Sequence, residues 1–311
     1  YRPKNPIPAP FPGGQRHLEG WLNSYKKNTP LKEEHWDSVI SPQARVFDLN
    51  LKEVWQYRDL LALFVRRDYA HFYKQTVLGP IWFFLQPLLT TLIFTLVFGN
   101  MAGIPTDNIP PMLFYLAGIT NWNYFADSLN KTSTTFRDNQ HIFGKVYFSR
   151  LVMPMSTVIF NLIKYGIQLI LFLAVYLYFY FKGAPISPNG YALLFPVLIL
   201  LLAGLSLGFG LIVTSMTTKY RDMMFLVQFG VQLFMYATPV IYPLSEVPEQ
   251  YQLLCILNPL TSIIETFKFG FIGTGTFEWS YLAYSAGFTL ILLLVGIVVF
   301  NRTERTFMDT V

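Results

Sequence analysis

The sequence predicts an all-α membrane protein: six transmembrane helices, an amphipathic interface helix before them, and two short re-entrant helices before the last span. Three observations predict it. Apolar residues make up 53% of the chain and charged residues only 13%, about half the charged share of an average soluble domain. Runs of about 20 apolar residues recur, each long enough to cross a ~30 Å hydrocarbon layer as a helix. Lys and Arg alternate between rich and poor from one connecting loop to the next. With no water in the hydrocarbon, backbone groups must pair within each run, and runs of this length read as helices rather than barrel strands.

Residues 1–49 carry Pro3, Pro6, Pro8, Pro10, Pro12 and the Gly13-Gly14 pair among charges, a composition that cannot bury a core. They read as a flexible cytosolic tail and not as a signal peptide. Phe47, Leu51, Val54, Tyr57, Leu61 and Phe64 then recur at helical spacing, with Lys52, Gln56 and Asp59 on another face. Asn50 and Glu53 stand at capping-box spacing. Residues 50–79 are therefore an amphipathic helix and a basic approach through Arg66, Arg67 and Lys74. Its apolar face belongs either in the acyl boundary or against a soluble partner.

A transmembrane domain follows over residues 80–300, with spans near 82–101, 112–129, 153–181, 191–216, 223–241 and 281–300. Pro87 should kink the first. Asn121, Asn123 and Asp127 make the second polar, which calls for protein or water on one side of it. Lys131, Arg137, Lys145 and Arg150 fill the second loop, Lys219 and Arg221 the fourth, and Arg302 and Arg305 the tail at 301–311. The first loop has no Lys or Arg, the third only Lys182 and the fifth only Lys268. This alternation places both termini in the cytosol. Between 239 and 280, prolines and glycines break the chain into two semi-apolar segments near 249–257 and 260–271. They read as re-entrant helices of an outer gate over about 245–273, or as a loop lying on the bilayer.

The net charge of +5 sits beside the apolar runs, where it meets anionic headgroups rather than nucleic acid. Cys255 is the single cysteine, which excludes an intrachain disulfide or thiolate cage. His17, His35, His71 and His141 all fall outside the spans, so no metal site is expected. No G-x-x-x-x-G-K-[ST], G-x-S-x-G or H-E-x-x-H occurs, so no cofactor is expected in this chain. The ionisable residues within apolar segments are Asp127, Lys164, Glu265 and Lys268. Lys164 could snorkel, and Glu265 could pair with Lys268 at i,i+3. A membrane glycosyl- or acyltransferase using Asp127 or Glu265 as a base is the enzyme alternative. Aromatic residues reach 17%, and Trp122, Tyr124, Phe125, Phe229, Phe234 and Tyr236 could stack on sugar rings as a track, or serve packing and interfacial belts.

Three collinear segments carry a resemblance. The first runs from Arg66-Arg67-Asp68-Tyr69 to Lys74-Gln75-Thr76-Val77-Leu78-Gly79-Pro80-Ile81-Trp82. The second is Gly118-Ile119-Thr120-Asn121-Trp122-Asn123-Tyr124-Phe125, continuing through Asn139, Lys145 and Arg150 to Pro154. The third joins Tyr220-Arg221-Asp222 to Thr238-Pro239-Val240-Ile241-Tyr242, Val247-Pro248 and Asn258-Pro259. Together they resemble the permease subunit of the polysaccharide ABC exporters, which move O-antigen, capsule and teichoic acid precursors. Ser149 departs from the proline common before Arg150, and the segment before Asn50 is longer than usual. The resemblance implies a homodimer in a bacterial inner membrane, bound to two copies of a separate ATPase that holds ATP and Mg, with a lipid-linked glycan as cargo. It makes Arg66, Arg67, Arg137, Asn139, Lys145, Arg150 and Arg221 candidates for ATPase coupling, with the coupling helix inside residues 131–148. It makes Pro239, Tyr242, Pro248, Asn258 and Pro259 gate candidates. A drug or small lipid is the alternative cargo.

Overall fold

The computed structural model describes residues 51–74, 79–143, 148–220 and 222–308, all within one compact unit spanning residues 46–311. The expected tail at 1–49, Gln75 to Leu78, Lys145 and Arg221 lie outside the described residues. Every regular element among the described residues is helical.

Two segments open the fold, α1 (Leu51–Gln56) and α2 (Arg58–Lys74), in place of one uninterrupted interface helix. The break at Tyr57 is slight, since Leu61 still donates to the Tyr57 carbonyl across 2.9 Å. Part of the predicted stripe packs on the rest of the chain. Val54 and Phe64 are buried, and Tyr57 and Leu61 pack beside them, against Phe136, Phe143, Phe148, Leu151, Leu211 and Phe300. Among the described side chains of this pair, Trp55, Leu63 and Tyr69 are the large exposed apolar ones.

Helix α3 (Ile81–Phe94) runs into a π-helical turn over Thr95–Met101, and Pro87 is buried within it. Helix α4 (Pro111–Thr132) is the hub, buried along almost its whole length from Leu113 to Thr132. Protein around α4 explains how a helix carrying Asn121, Asn123 and Asp127 is tolerated. Two short helices, α5 (Thr135–Asp138) and α6 (Gln140–Phe143), close the next loop. Three long helices follow in order: α7 (Val152–Phe181), α8 (Phe195–Lys219, entered by a 3-10 turn at Gly190–Leu194) and, last in the chain, α12 (Trp279–Met308).

Helices α8 and α12 meet through small residues. A Cβ added to Gly204 would lie 2.6 Å from Thr289, and one added to Gly208 would lie 3.0 Å from Leu292. Gly204 and Gly208 form a G-x-x-x-G pair, a spacing that lets helix backbones approach closely in lipid.

Between α8 and α12 lie α9 (Met223–Tyr236), α10 (Glu249–Leu257) and α11 (Pro259–Ile272). The fifth predicted span ends as a helix at Tyr236, because Pro239 and Pro243 interrupt the following segment. At 14 residues α9 is about 21 Å long, short of the ~30 Å hydrocarbon layer. Among the described residues, four helices are long and apolar enough to cross a membrane, or five if the α10–α11 pair, bent by 98°, counts as one.

The elements share two ends. Lys131, Arg137, Arg150 and Lys219 gather at the end formed by α1, α2, α5 and α6. The opposite end carries the loop at 102–110, the Gly190–Leu194 turn and the α10–α11 hairpin.

Candidate functional site

The hairpin end is built around irregular backbone. Thr238, Pro239, Val240 and Ile241 leave the helical path yet are buried, so their polar groups need partners inside the protein. Gly118 on α4 makes room for them, since a Cβ there would lie 2.8 Å from the Val240 carbonyl. Lys268 Nζ donates to the Pro239 carbonyl across 2.7 Å and to Glu265 Oε1 across 3.3 Å, and stands 3.9 Å over the Phe114 ring. The other carboxylate oxygen, Glu265 Oε2, accepts the Thr276 N–H at 3.1 Å. Glu265 and Lys268 are each 1% exposed. Burying such a pair is tolerable only because each charge has hydrogen-bond partners beyond the other.

Asn258 forms the elbow. Its Oδ1 accepts the Leu260 N–H at 3.0 Å, capping α11, while Nδ2 donates to Thr238 Oγ1 at 2.8 Å. Pro259 occupies the first turn, where a missing N–H is harmless. Ser285 donates to the Pro259 carbonyl at 2.9 Å, tying the elbow to α12. At the other end of α11, Gly273 adopts a left-handed conformation (φ +88°) and donates to the Lys268 and Phe269 carbonyls. Pro239 is therefore buried in this web. Tyr242 is half-buried, its hydroxyl donating to the Tyr236 carbonyl at 3.1 Å, and Pro248 is exposed at the start of α10.

The six aromatic track candidates divide. Trp122 and Phe125 are buried and contact Phe234 at ring distances of 6.1 and 6.3 Å, so these three seat α9 on α4. Tyr124 is buried too, its ring 5.2 Å from that of Tyr165. Phe229 and Tyr236 are exposed on α9. A lone sequence cannot separate these two groups, because all six lie in apolar, helical surroundings.

Between α4 and α7 runs a polar seam. Tyr165 donates to Asn121 Oδ1 at 2.9 Å, and Lys164 Nζ meets Asp127 Oδ2 at 2.5 Å. Lys164 is thus paired rather than snorkelling, and both carboxylates considered as bases, Asp127 and Glu265, are held in ion pairs.

At the basic end, Arg66 is exposed, Arg67 pairs with Asp68 at 2.8 Å, and Arg137 pairs with Asp138 at 2.9 Å. Asn139 donates to the Thr135 carbonyl at 3.0 Å. Arg150 differs from these surface residues: it is 4% exposed, 3.5 Å from Glu304 on α12 and 5.1 Å over the Phe143 ring. Arg150 cannot present its charge to another protein from there, and instead joins the start of α7 to α6 and α12. Phe136 stacks on Phe300 at 4.8 Å, and Thr217 donates to the Ser133 carbonyl at 2.6 Å, so α5 is fastened to both α8 and α12. Among the described residues, no cluster of three or more His, Cys, Asp or Glu could hold a metal ion.

The chain matches the family described as ABC-2 type transporter over residues 59–272, which takes in every element from α2 to α11. It is 27% identical over 266 residues to the O-antigen export system permease protein RfbA of Myxococcus xanthus, covering 84% of this chain and 98% of that protein. The RfbA of Klebsiella pneumoniae is 27% identical over 252 residues, covering 81% and 94%. The polysialic acid transport protein KpsM of Escherichia coli is 25% identical over 253 residues, covering 80% and 95%. A family match across more than half the chain, over a helical bundle with several membrane-length helices, identifies this chain as a member of the ABC-2 type transporter family.

Proposed function

We propose that this chain is the membrane permease of an ATP-driven exporter of lipid-linked polysaccharide. One observation carries the reading: relatives named for O-antigen export and polysialic acid transport are matched over at least 94% of their own length. The chain is not an enzyme, and ATP with Mg belongs to a separate subunit. In the working assembly two copies of the chain enclose the path and two copies of the ATPase drive it, switching a two-state element from one end. The six-span arrangement counts α4 and α9 as spans, supported by protein cover along the polar α4 and by the buried Thr238 to Ile241 segment that extends α9. The gathering of Lys131, Arg137, Arg150 and Lys219 at one end supports a cytosolic placement of that end and of both termini in a bacterial inner membrane.

In this reading α5 and α6, with Arg66, Arg67, Arg137 and Asn139 exposed or half-exposed around them, receive the ATPase stroke, and Arg150 passes it to α7 and α12. Lys145 and Arg221, outside the described residues, are assigned the same coupling role from the sequence alone. The α10–α11 hairpin, with Pro239, Tyr242, Pro248, Asn258 and Pro259 at its joints, is the outer gate. Phe229 and Tyr236 touch the glycan, while Trp122, Tyr124, Phe125 and Phe234 hold the wall behind them.

The test is reconstitution of the chain with its ATPase in vesicles holding a lipid-linked glycan. ATP should bring glycan to the far leaflet only when both subunits are present. Export by this chain alone, or glycosyl transfer by it, would overturn the proposal.

A further inference from the structure

Helix α9 buries one side only. Val231 is buried, Val227, Phe234 and Met235 pack on the core, Met223 and Met224 are half-buried, and the rest of the helix is exposed. At 3.6 residues per turn the exposed surface has two halves. Leu226, Gly230 and Leu233, spaced by four and three, form an aliphatic half suited to lipid or to another helix. Phe225, Gln228, Phe229, Gln232 and Tyr236, at offsets of 0, 3, 4, 7 and 11, form the other half, where amides and aromatic rings alternate. Gln228 and Gln232 are the sixth and tenth of the 14 residues, away from either end. Among the described residues neither amide has a hydrogen-bond partner. An amide carries two donors and an acceptor, and leaving these unmet in hydrocarbon is costly, so this half cannot face lipid tails.

From this we infer that Gln228 and Gln232 are hydrogen-bonding rungs for the hydroxyl groups of the passing glycan, set between the rings of Phe225, Phe229 and Tyr236. The chemistry matches on both counts: a pyranose offers apolar C–H faces to rings and a rim of hydroxyls to amides. Ring contact alone slides and discriminates little, whereas two amides one helical turn apart add a preference for hydroxylated chains. The inference rests on the polysaccharide reading and adds the residues that grip the cargo.

The experiment uses the assembled complex in vesicles. Gln228→Leu and Gln232→Leu should each raise the half-saturating glycan concentration about fivefold, the loss expected for one net hydrogen bond. The amount of inserted, folded protein should stay unchanged, and Gln232→Asn should recover most of the affinity. In a Cys255→Ser background, a thiol placed by Gln232→Cys should react with a membrane-impermeant maleimide and be shielded by glycan, while one placed by Leu226→Cys should not react. Unchanged half-saturation in both leucine variants would overturn the inference. So would a Gln232→Cys thiol that stays unreactive with and without ATP, because the amides would then face a second copy of the chain. If the unsubstituted complex moves no glycan, the export reading itself fails, and the labelling still reports whether this half of α9 is wet.

Discussion

Lys268 lends its ammonium group to the backbone of Pro239, 2.7 Å away, while holding Glu265 at 3.3 Å. The buried charge satisfies a carbonyl that the broken end of α9 leaves without a helical partner. It also joins α11 to the segment after α9, and Glu265 extends the link to Thr276.

Removing one member of that pair should therefore be far worse than removing both. Lys268→Met would strand a buried carboxylate and the Pro239 carbonyl, a loss of about 3–5 kcal/mol. The double variant Lys268→Met with Glu265→Leu should recover a large part of it. Thermal unfolding in detergent checks this, and equal losses in the single and double variants would refute the pairing.

Substitution of the aromatic residues should separate wall from surface. Trp122→Ala deletes a buried ring and should cost about 3–5 kcal/mol of stability. Phe229→Ala, at an exposed position, should change stability by no more than about 0.5 kcal/mol and slow ATP-driven export instead. Export and melting temperature measured on the same preparations distinguish the two.

The two arginines of the basic end should also part company. Arg137→Ala should leave the melting temperature nearly unchanged and weaken association with the ATPase. Arg150→Ala should lower the melting temperature, because it removes one buried contact each from Glu304 and Phe143. Pull-down of the ATPase beside a melting curve reads both, and a stable Arg150→Ala protein would count against its structural role.

Helix contact through glycine offers a fourth test. Gly208→Val would push side-chain atoms into Leu292 and Leu293, and overpacking of this kind costs about 1–3 kcal/mol. Gly166→Val, where a Cβ meets nothing within 4 Å, should be silent by the same melting assay.

Run length, proline placement and the spacing of basic residues were enough for an all-helical chain with several membrane-length helices and for two short helices divided near Asn258-Pro259. These depend on local chain properties: how many apolar residues follow one another, where an N–H is missing, where positive charge collects. The pairing of Glu265 with Lys268 was legible for the same reason, since three residues along a helix is one turn. Which face each helix shows, and to what, required the folded chain. Trp122 and Phe229 are alike as residues in apolar helices, yet α4 is surrounded and α9 is open on one side. The interface stripe of Val54 and Phe64 has the pattern of a lipid-facing surface, and it is Phe148 and Phe300, distant in sequence, that cover it. Arg150 looks like its basic neighbours until Glu304, at the far end of the chain, comes within 3.5 Å. The close approach of Gly204 to Thr289 on α12 likewise appears only in the folded chain. Contacts between residues far apart in sequence depend on how helices pack, and one strand of sequence carries no record of which face meets which.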